Sequence, residues 1–296
     1  MNEVMNSLGK WWTEVIGQIM ESVRECLRGM IMSNLEEAFA DFNGNLDKFT
    51  QSLSKSPEEF NGSAYSTITN LSENAILPIA LVILAFIFVT ELYELIKDTN
   101  SGMGGFNQSK FIEMMGATII FLYVINHSME ISTGIFALGA KAVEKAGAST
   151  ATITIPSTLW DSIAAESDIG KLISAVVTSF IIKLSMSVIN VMLIICMYIR
   201  MFEIYLYLCA APAPLATLQS KEWGETGKNY IRALIALALQ SFFMLVMIAI
   251  YGAILADMDT SGSLNKALWE CVAYCVMVVF MLFKAGNISK SIFNAH

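Results

Sequence analysis

Five apolar blocks recur along the chain and are separated by polar stretches. They cover residues 75–90, 111–126, 172–199, 231–256 and 268–283, and they carry few charges. A bilayer requires about 20 such residues for each crossing helix, so the pattern is typical of membrane helices. We therefore predict an all-α, polytopic membrane protein with about five crossings.

The third block is unusually long. Between Lys171 and Ala211 the chain has neither glycine nor proline, so nothing marks a turn. One helix of that length reaches roughly 60 Å, twice the hydrocarbon core, and so it either projects beyond the membrane or folds back near Arg200–Glu203. We count one crossing, because the remainder before Pro212 is too short to span and proline should end the helix.

Residues 4–31 show the most regular helical pattern. Apolar residues recur at three- and four-residue steps, while charged residues such as Glu14 and Glu21 take the opposite face. This predicts an amphipathic helix, with Trp11 and Trp12 as an interfacial anchor. Two interpretations stay open: a helix lying in the membrane interface, or a helix packed on a partner subunit. Its polar face has few lysines, so attraction to anionic lipid is weak.

The stretch after this helix is polar and rich in turn residues. Ser33 and Glu36 resemble a capping box, which predicts a short helix through about Phe42. The sequence Asn43-Gly44-Asn45 should end that helix. We therefore expect residues 33–74 to form a polar segment that precedes the first crossing.

Polar stretches set the predicted boundaries along the chain. Residues 1–74 hold the amphipathic helix and a polar, extracytoplasmic segment; residues 75–146 hold two membrane helices joined by the glycine-rich loop 97–110; residues 147–171 form a polar loop; residues 172–218 form the long third helix, which ends at Pro212 and Pro214; and residues 219–296 hold a charged loop, the last two membrane helices and a short tail.

Composition supports the membrane prediction and argues against an enzyme. Apolar residues make up 55% of the chain and charged residues 15%, against about 25% charged in soluble domains. Five cysteines and two histidines suggest neither a disulfide framework nor a metal site. The sequence "GETGK" is no phosphate-binding loop, because Glu222 and Asn229 occupy positions that require glycine and Ser or Thr. We expect no cofactor and no catalytic residues.

One predicted membrane helix carries a polar face. Ser179, Lys183, Ser187 and Asn190 follow one another at spacings of four, four and three residues. A lysine costs roughly 2.5–3.5 kcal/mol at the bilayer centre, so this face should contact protein or water. It forms either a hydrogen-bonded seam between helices or subunits, which we favour, or the lining of a conduit. The sequence shows no acidic partner for Lys183 at its depth.

Charge does not settle the topology. With the N-terminus outside, eight lysines and arginines lie on the cytoplasmic side and five outside, which obeys the positive-inside rule only mildly. A six-span arrangement with the N-terminus inside fits about as well.

A resemblance to a known family lies in residues Tyr205 to Leu237. There an "APAPLATL" break leads into the charged loop "SKEWGETGKNYIRAL". Together with the amphipathic N-terminal helix and about five spans, this resembles the polytopic membrane subunit of type IV secretion and conjugation machines. The similarity is greatest to the TrbL-like conjugal transfer proteins of Gram-positive mobile elements.

The resemblance implies a homo-oligomer in the cytoplasmic membrane around the translocation route for DNA and protein. Its implied partners are the lipid bilayer, other secretion-channel subunits and the machine's ATPases, with DNA and relaxase in contact only in transit. It also implies an N-terminus outside and a C-terminus inside. Pro212 and Pro214 would break the helix. The residues that follow would form either a cytoplasmic elbow or a simple connector. The charged residues of this elbow are Lys221, Glu222, Glu225 and Lys228.

A secondary transporter or ion channel acting on its own is the main alternative. It would need paired charges within the membrane, broken helices near the midplane and an internal repeat. The sequence offers one lysine and one terminal pair of prolines instead. A third possibility is a membrane scaffold that encloses no conduit of its own.

Overall fold

The computed structural model describes residues 2–100, 108–146, 157–256 and 264–295. Every regular element in these ranges is helical, which confirms the all-α prediction. Among them, five helices are long and apolar enough to cross a membrane, in agreement with the predicted number. They cover Gly62–Lys97, Gln108–Asn126, Ile169–Ala210, Gly224–Ile254 and Asn265–Ile292.

Eleven α-helices are present in the described ranges. Their bounds are α1 Asn2–Leu53, α2 Pro57–Phe60, α3 Gly62–Leu71, α4 Leu77–Asn100, α5 Gln108–Asn126, α6 Ser128–Ala146, α7 Ser157–Ala165, α8 Ile169–Ala210, α9 Pro212–Ala216, α10 Gly224–Ala256 and α11 Leu264–Ile292. A π-helical turn, Ser72–Ile76, joins α3 to α4, and a 3₁₀ turn, Thr217–Gln219, follows α9.

Helix α1 is continuous over 52 residues. The predicted break at Asn43-Gly44-Asn45 and the predicted cap at Ser33 are therefore wrong. Side chains on one face of the helix, among them Phe42 and Leu46, are buried on both sides of Gly44. Their packing outweighs the turn preference of the local sequence.

The capping box lies further along the chain, at the start of α2. The Ser56 hydroxyl accepts a hydrogen bond from the Glu59 amide at 3.3 Å, and the Ser56 amide donates to Glu59 Oε2 at 2.9 Å. Pro57 occupies the first turn, where it sacrifices no hydrogen bond. Backbone hydrogen bonding holds the pKa of the Glu59 carboxyl below its ordinary value.

Helix α8 is a single element of 42 residues and passes Arg200–Glu203 without a turn. It forms one candidate span, as the missing glycine and proline predicted. Its outward side chains are strongly apolar: Val177, Phe180 and Leu184 are each more than half exposed. Such a surface requires lipid or another protein to cover it.

The chain divides into two compact units, each assembled from separate stretches. Unit 1 contains Met1–Lys48, Thr150–Ile194 and Met247–Met281, and unit 2 contains Phe49–Ser149, Ile195–Val246 and Leu282–His296.

Unit 2 has a core formed by α6, the end of α8, α9 and α10, with members such as Phe136, Leu208, Leu215 and Leu234. A side chain at Gly139 of α6 would meet the α10 backbone, since its Cβ would lie 2.3 Å from the Ala238 carbonyl oxygen. Glycine thus permits the close approach of these two helices.

Candidate functional site

The polar face of α8 begins at Ser179, which is fully buried in unit 1. Its hydroxyl donates to the Val176 carbonyl at 2.9 Å and accepts from Asn34 Nδ2 of α1 at 3.1 Å. Asn34 is 145 positions away in sequence. The start of the polar face therefore forms a hydrogen-bonded seam with α1.

Lys183 has an acidic partner that the sequence did not reveal. Its ammonium forms an ion pair with the Glu37 carboxylate of α1. The expectation that no acid lies at its depth is therefore wrong. The side chains are 39% and 58% exposed, respectively, so the pair lies on the surface of unit 1. The hydrogen bond and the charge of Lys183 hold the pKa of Glu37 below its ordinary value.

The other two residues of the face occupy different environments. Ser187 is exposed, and Asn190 is 9% exposed. Within the described ranges, the Asn190 Oδ1 atom is buried and accepts no hydrogen bond. The structure thus brings Ser179 and Lys183 onto α1, leaves Ser187 open and buries Asn190.

Proline residues shape the elbow in unit 2. Helix α8 ends at Ala210, Pro212 begins the short helix α9, and α10 starts at Gly224. A Cβ atom at Gly227 would lie 2.7 Å from the Pro214 carbonyl oxygen, so only glycine allows α10 to pass this close to α9.

The loop between α9 and α10 is fastened to α4 and α5. The Lys221 amide donates to Glu91 Oε1 at 3.2 Å, and its ammonium lies 3.6 Å from Glu91 Oε2. Gln219 Nε2 donates to the Thr118 hydroxyl at 2.6 Å. These contacts attach the loop to the neighbouring helices α4 and α5.

The remaining elbow charges are exposed. Glu225 pairs with Lys228 at 3.5 Å and with Arg232 at 3.0 Å. Glu222 is also exposed, and its amide donates to the Ser220 hydroxyl at 3.2 Å. Next to it, the Trp223 ring stacks on Phe86 with centroids 5.7 Å apart.

A charged cavity lies beside the elbow, with a volume of about 360 Å³. The ends of α4 and α5 line it together with the loop, through residues that include Glu91, Glu94, Lys110, Glu113 and Lys221. The elbow therefore lies beside the last turns of α4 and the first turns of α5.

A second charged group in unit 2 was not predicted as a site. Arg200 is 5% exposed, and its guanidinium donates to the Ser241 hydroxyl of α10. Three residues further along α8, Glu203 accepts from Lys290 Nζ of α11 at 2.6 Å. Lys290 Nζ also lies 5.8 Å from the centre of the Tyr207 ring. The sequence signal for this group was the i, i+3 spacing of Arg200 and Glu203, which places two charged residues on one face of an otherwise apolar helix.

Trp11 and Trp12 contact each other edge to face, with ring centroids 5.3 Å apart. Both side chains are more than half exposed. The two tryptophans that we predicted as an interfacial anchor therefore form an exposed aromatic surface on α1.

Comparison with known families identifies a matching family. The family model described as "TrbL/VirB6 plasmid conjugal transfer like protein" matches residues 42–212. This is more than half of the 296 residues; it includes α4, α5, α6 and α8 and ends at Pro212. Searches of curated proteins and of solved structures returned no match. The chain belongs to the TrbL/VirB6 family of conjugal transfer proteins and is a multi-pass membrane component of a type IV secretion system.

Proposed function

We propose that this chain is a channel subunit that oligomerises in the cytoplasmic membrane around the route taken by DNA and protein during conjugal transfer. Copies of the chain form the wall of this route. Other channel subunits and ATPases of the machine bind the assembled wall and supply the energy. DNA and relaxase contact it only in transit.

The ion pair between Lys183 and Glu37 is the observation that carries this proposal. It is partly exposed on a candidate membrane helix whose other outward residues, such as Phe180 and Leu184, are apolar. A charged pair is costly against lipid, so this part of α8 should face water or another subunit. A ring of copies around an aqueous route supplies both environments.

The proposed orientation has the N-terminus outside and the C-terminus inside. Lys110 and Lys221 line one cavity in unit 2, and we infer from this that the 97–110 loop and the elbow lie on the same side of the membrane. Lys97, Lys228 and Arg232 lie in the same two segments. Positive charge favours the cytoplasmic side, which supports an inside location for this end.

Chemical blocking at Ser187 tests the channel. In a Cys26→Ser background, Ser187→Cys should react with a membrane-impermeant maleimide, because this position lies on the polar face of α8 and is exposed. A bulky adduct should reduce DNA transfer by at least about tenfold if the face lines the route.

Val188→Cys is the matched control, since Val188 is one residue further on and 54% exposed among apolar neighbours. It should react poorly with the water-soluble reagent and leave transfer unchanged. Full labelling of Ser187→Cys with normal transfer would exclude this face from the route.

The elbow is proposed to bind an ATPase or another subunit on the cytoplasmic side. Glu222 and Lys228 are exposed there, and exchanging their charges preserves the net charge. The double variant Glu222→Lys, Lys228→Glu should lower DNA transfer about tenfold at an unchanged membrane level, because charge complementarity selects partners.

The same exchange at Lys141 and Glu144, two exposed residues near the end of α6, is the control and should leave transfer normal. Wild-type transfer by the elbow variant would assign the elbow a purely connecting role.

A third variant, Lys221→Glu, should lower the membrane level instead, because it would place a second carboxylate beside that of Glu91.

A further inference from the structure

The first half of α1 carries an uncovered apolar surface. We call it the α1 stripe and define it as Leu8, Trp11, Trp12, Val15, Ile19, Val23, Cys26 and Met30. Except for Val15, which is half-buried, these residues are exposed. Trp12 and Ile19 are each 57% exposed, unusually high for large apolar side chains.

The stripe does not continue the core face of the same helix. From Ile31 onwards, the buried residues of α1 include Leu35, Phe42 and Leu46. At about 100° per residue, this buried face lies about 160° around the helix from the stripe. The stripe therefore points away from the side through which α1 packs on its own chain.

Four contacts fix the direction of α1 within unit 1. They pair Arg24 with the Ser167 carbonyl, Arg28 with the Glu166 carbonyl, Asn34 with Ser179, and Glu37 with Lys183. In the last three contacts, a higher residue number in α1 is paired with a higher residue number in or just before α8. Helix α1 therefore runs parallel to α8. Residues before Arg24 extend about 30 Å beyond the start of α8 at Ile169.

This direction excludes the lipid surface as the cover of the stripe. Helix α8 is a candidate membrane span, and a helix parallel to it cannot lie in the plane of the interface. The projecting part of α1 continues past the start of α8 in the same direction. Its charged face carries Glu14, Glu21 and Glu25 beside Lys10, Arg24 and Arg28, so it has no excess of positive charge that would attract anionic headgroups.

The spacing of the stripe suits packing between identical helices. Leu8, Trp12, Val15 and Ile19 are separated by steps of four, three and four, and the pattern repeats with a period of 11 residues. This gives 3.67 residues per turn, close to the natural repeat, so the stripe stays on one side of a straight helix. The three glutamates lie far from its centre, and like charges would not meet.

We propose that the α1 stripes of neighbouring copies pack against one another outside the membrane. The inference rests on the oligomer of the proposed function and names the surface that joins its subunits. An open groove of about 670 Å³ between α1 and α8 continues the stripe past Cys26 and Met30, with Val177 and Phe180 on its other wall. The groove extends the contact from the projecting helix down to the candidate span.

Disulfide cross-linking of the full chain in native membranes tests this contact. Cys26 is a free, exposed cysteine near the C-terminal end of the stripe. Mild oxidation should link neighbouring copies through Cys26, and Cys26→Ser should abolish the linked species. Ile19→Cys in the Cys26→Ser background should restore it, with at least about fivefold more dimer than Glu14→Cys on the opposite face.

The outcomes separate this inference from the proposed function. If the protein migrates as an oligomer after gentle extraction but Ile19→Cys and Glu14→Cys cross-link equally poorly, the stripe is not the contact, and the channel proposal stands. If only a monomer is recovered in both measurements, the oligomeric proposal itself fails. Cross-linking of Cys26 to a different protein would assign the stripe to another subunit and overturn this inference.

Discussion

Replacing Gly139 by alanine is expected to lower the thermal unfolding midpoint of the detergent-purified protein by about 5–10 °C. The added Cβ would lie 2.3 Å from the Ala238 carbonyl oxygen and 2.9 Å from its carbon, distances that force α6 away from α10. The obstacle is backbone, which cannot rotate aside as a side chain can. The steady-state level in membranes should fall with the midpoint.

Gly134→Ala in the same helix is the matched control. A Cβ atom there meets nothing within 4 Å, so the substitution should be neutral or raise stability, because alanine favours the helix. Equal midpoints for the two variants would show that α6 does not approach α10 as closely as the structure indicates.

Glu37→Gln is expected to lower the amount of folded protein in the membrane about tenfold, because it leaves Lys183 charged and unpaired beside apolar α8 residues. Lys183→Met should be milder, since the exposed Glu37 can remain hydrated. The double variant should recover most of the wild-type level. This recovery is the specific sign of a pair, and the readout is a quantitative immunoblot of the membrane fraction.

Glu36→Gln is the control, because Glu36 is exposed and forms no ion pair among the described residues. It should retain the wild-type level. If Glu37→Gln and Glu36→Gln behave alike, the pair contributes no more than an ordinary surface salt bridge.

The same pair predicts a pH dependence. The pKa of Glu37 in the folded protein lies below its ordinary value of 4.5, so the stabilisation is complete above 4.5 and is lost as the pH falls through the lowered value. Wild-type and Glu37→Gln midpoints should therefore differ at neutral pH and converge in acid. A difference that grows in acid would assign the effect to another group.

The sequence predicted the crossings because each depends on local composition. A run of apolar residues must be covered by lipid or protein wherever it lies, and the absence of glycine and proline from Lys171 to Ala211 left α8 nothing at which to turn. Proline is also a local signal, and so the end of α8 could be predicted at Pro212, two residues after its observed end.

Features that depend on distant partners could not be predicted. Asn43-Gly44-Asn45 is a typical turn sequence, but the buried side chains on both sides of it favour a continuous α1. Glu37 is 146 positions from Lys183, and one sequence contains no information that pairs them. The attachment of Lys221 to Glu91 was hidden for the same reason, although each residue is plainly charged.

The fastening of the elbow has a mechanical consequence. Pro214 and Gly227 are in close backbone contact, and Lys221 is tied to Glu91. A force applied at Glu222 would therefore shift α9, the first turns of α10 and the end of α4 together. If an ATPase binds at this corner, as proposed above, its movement would be transmitted to all three helices at once.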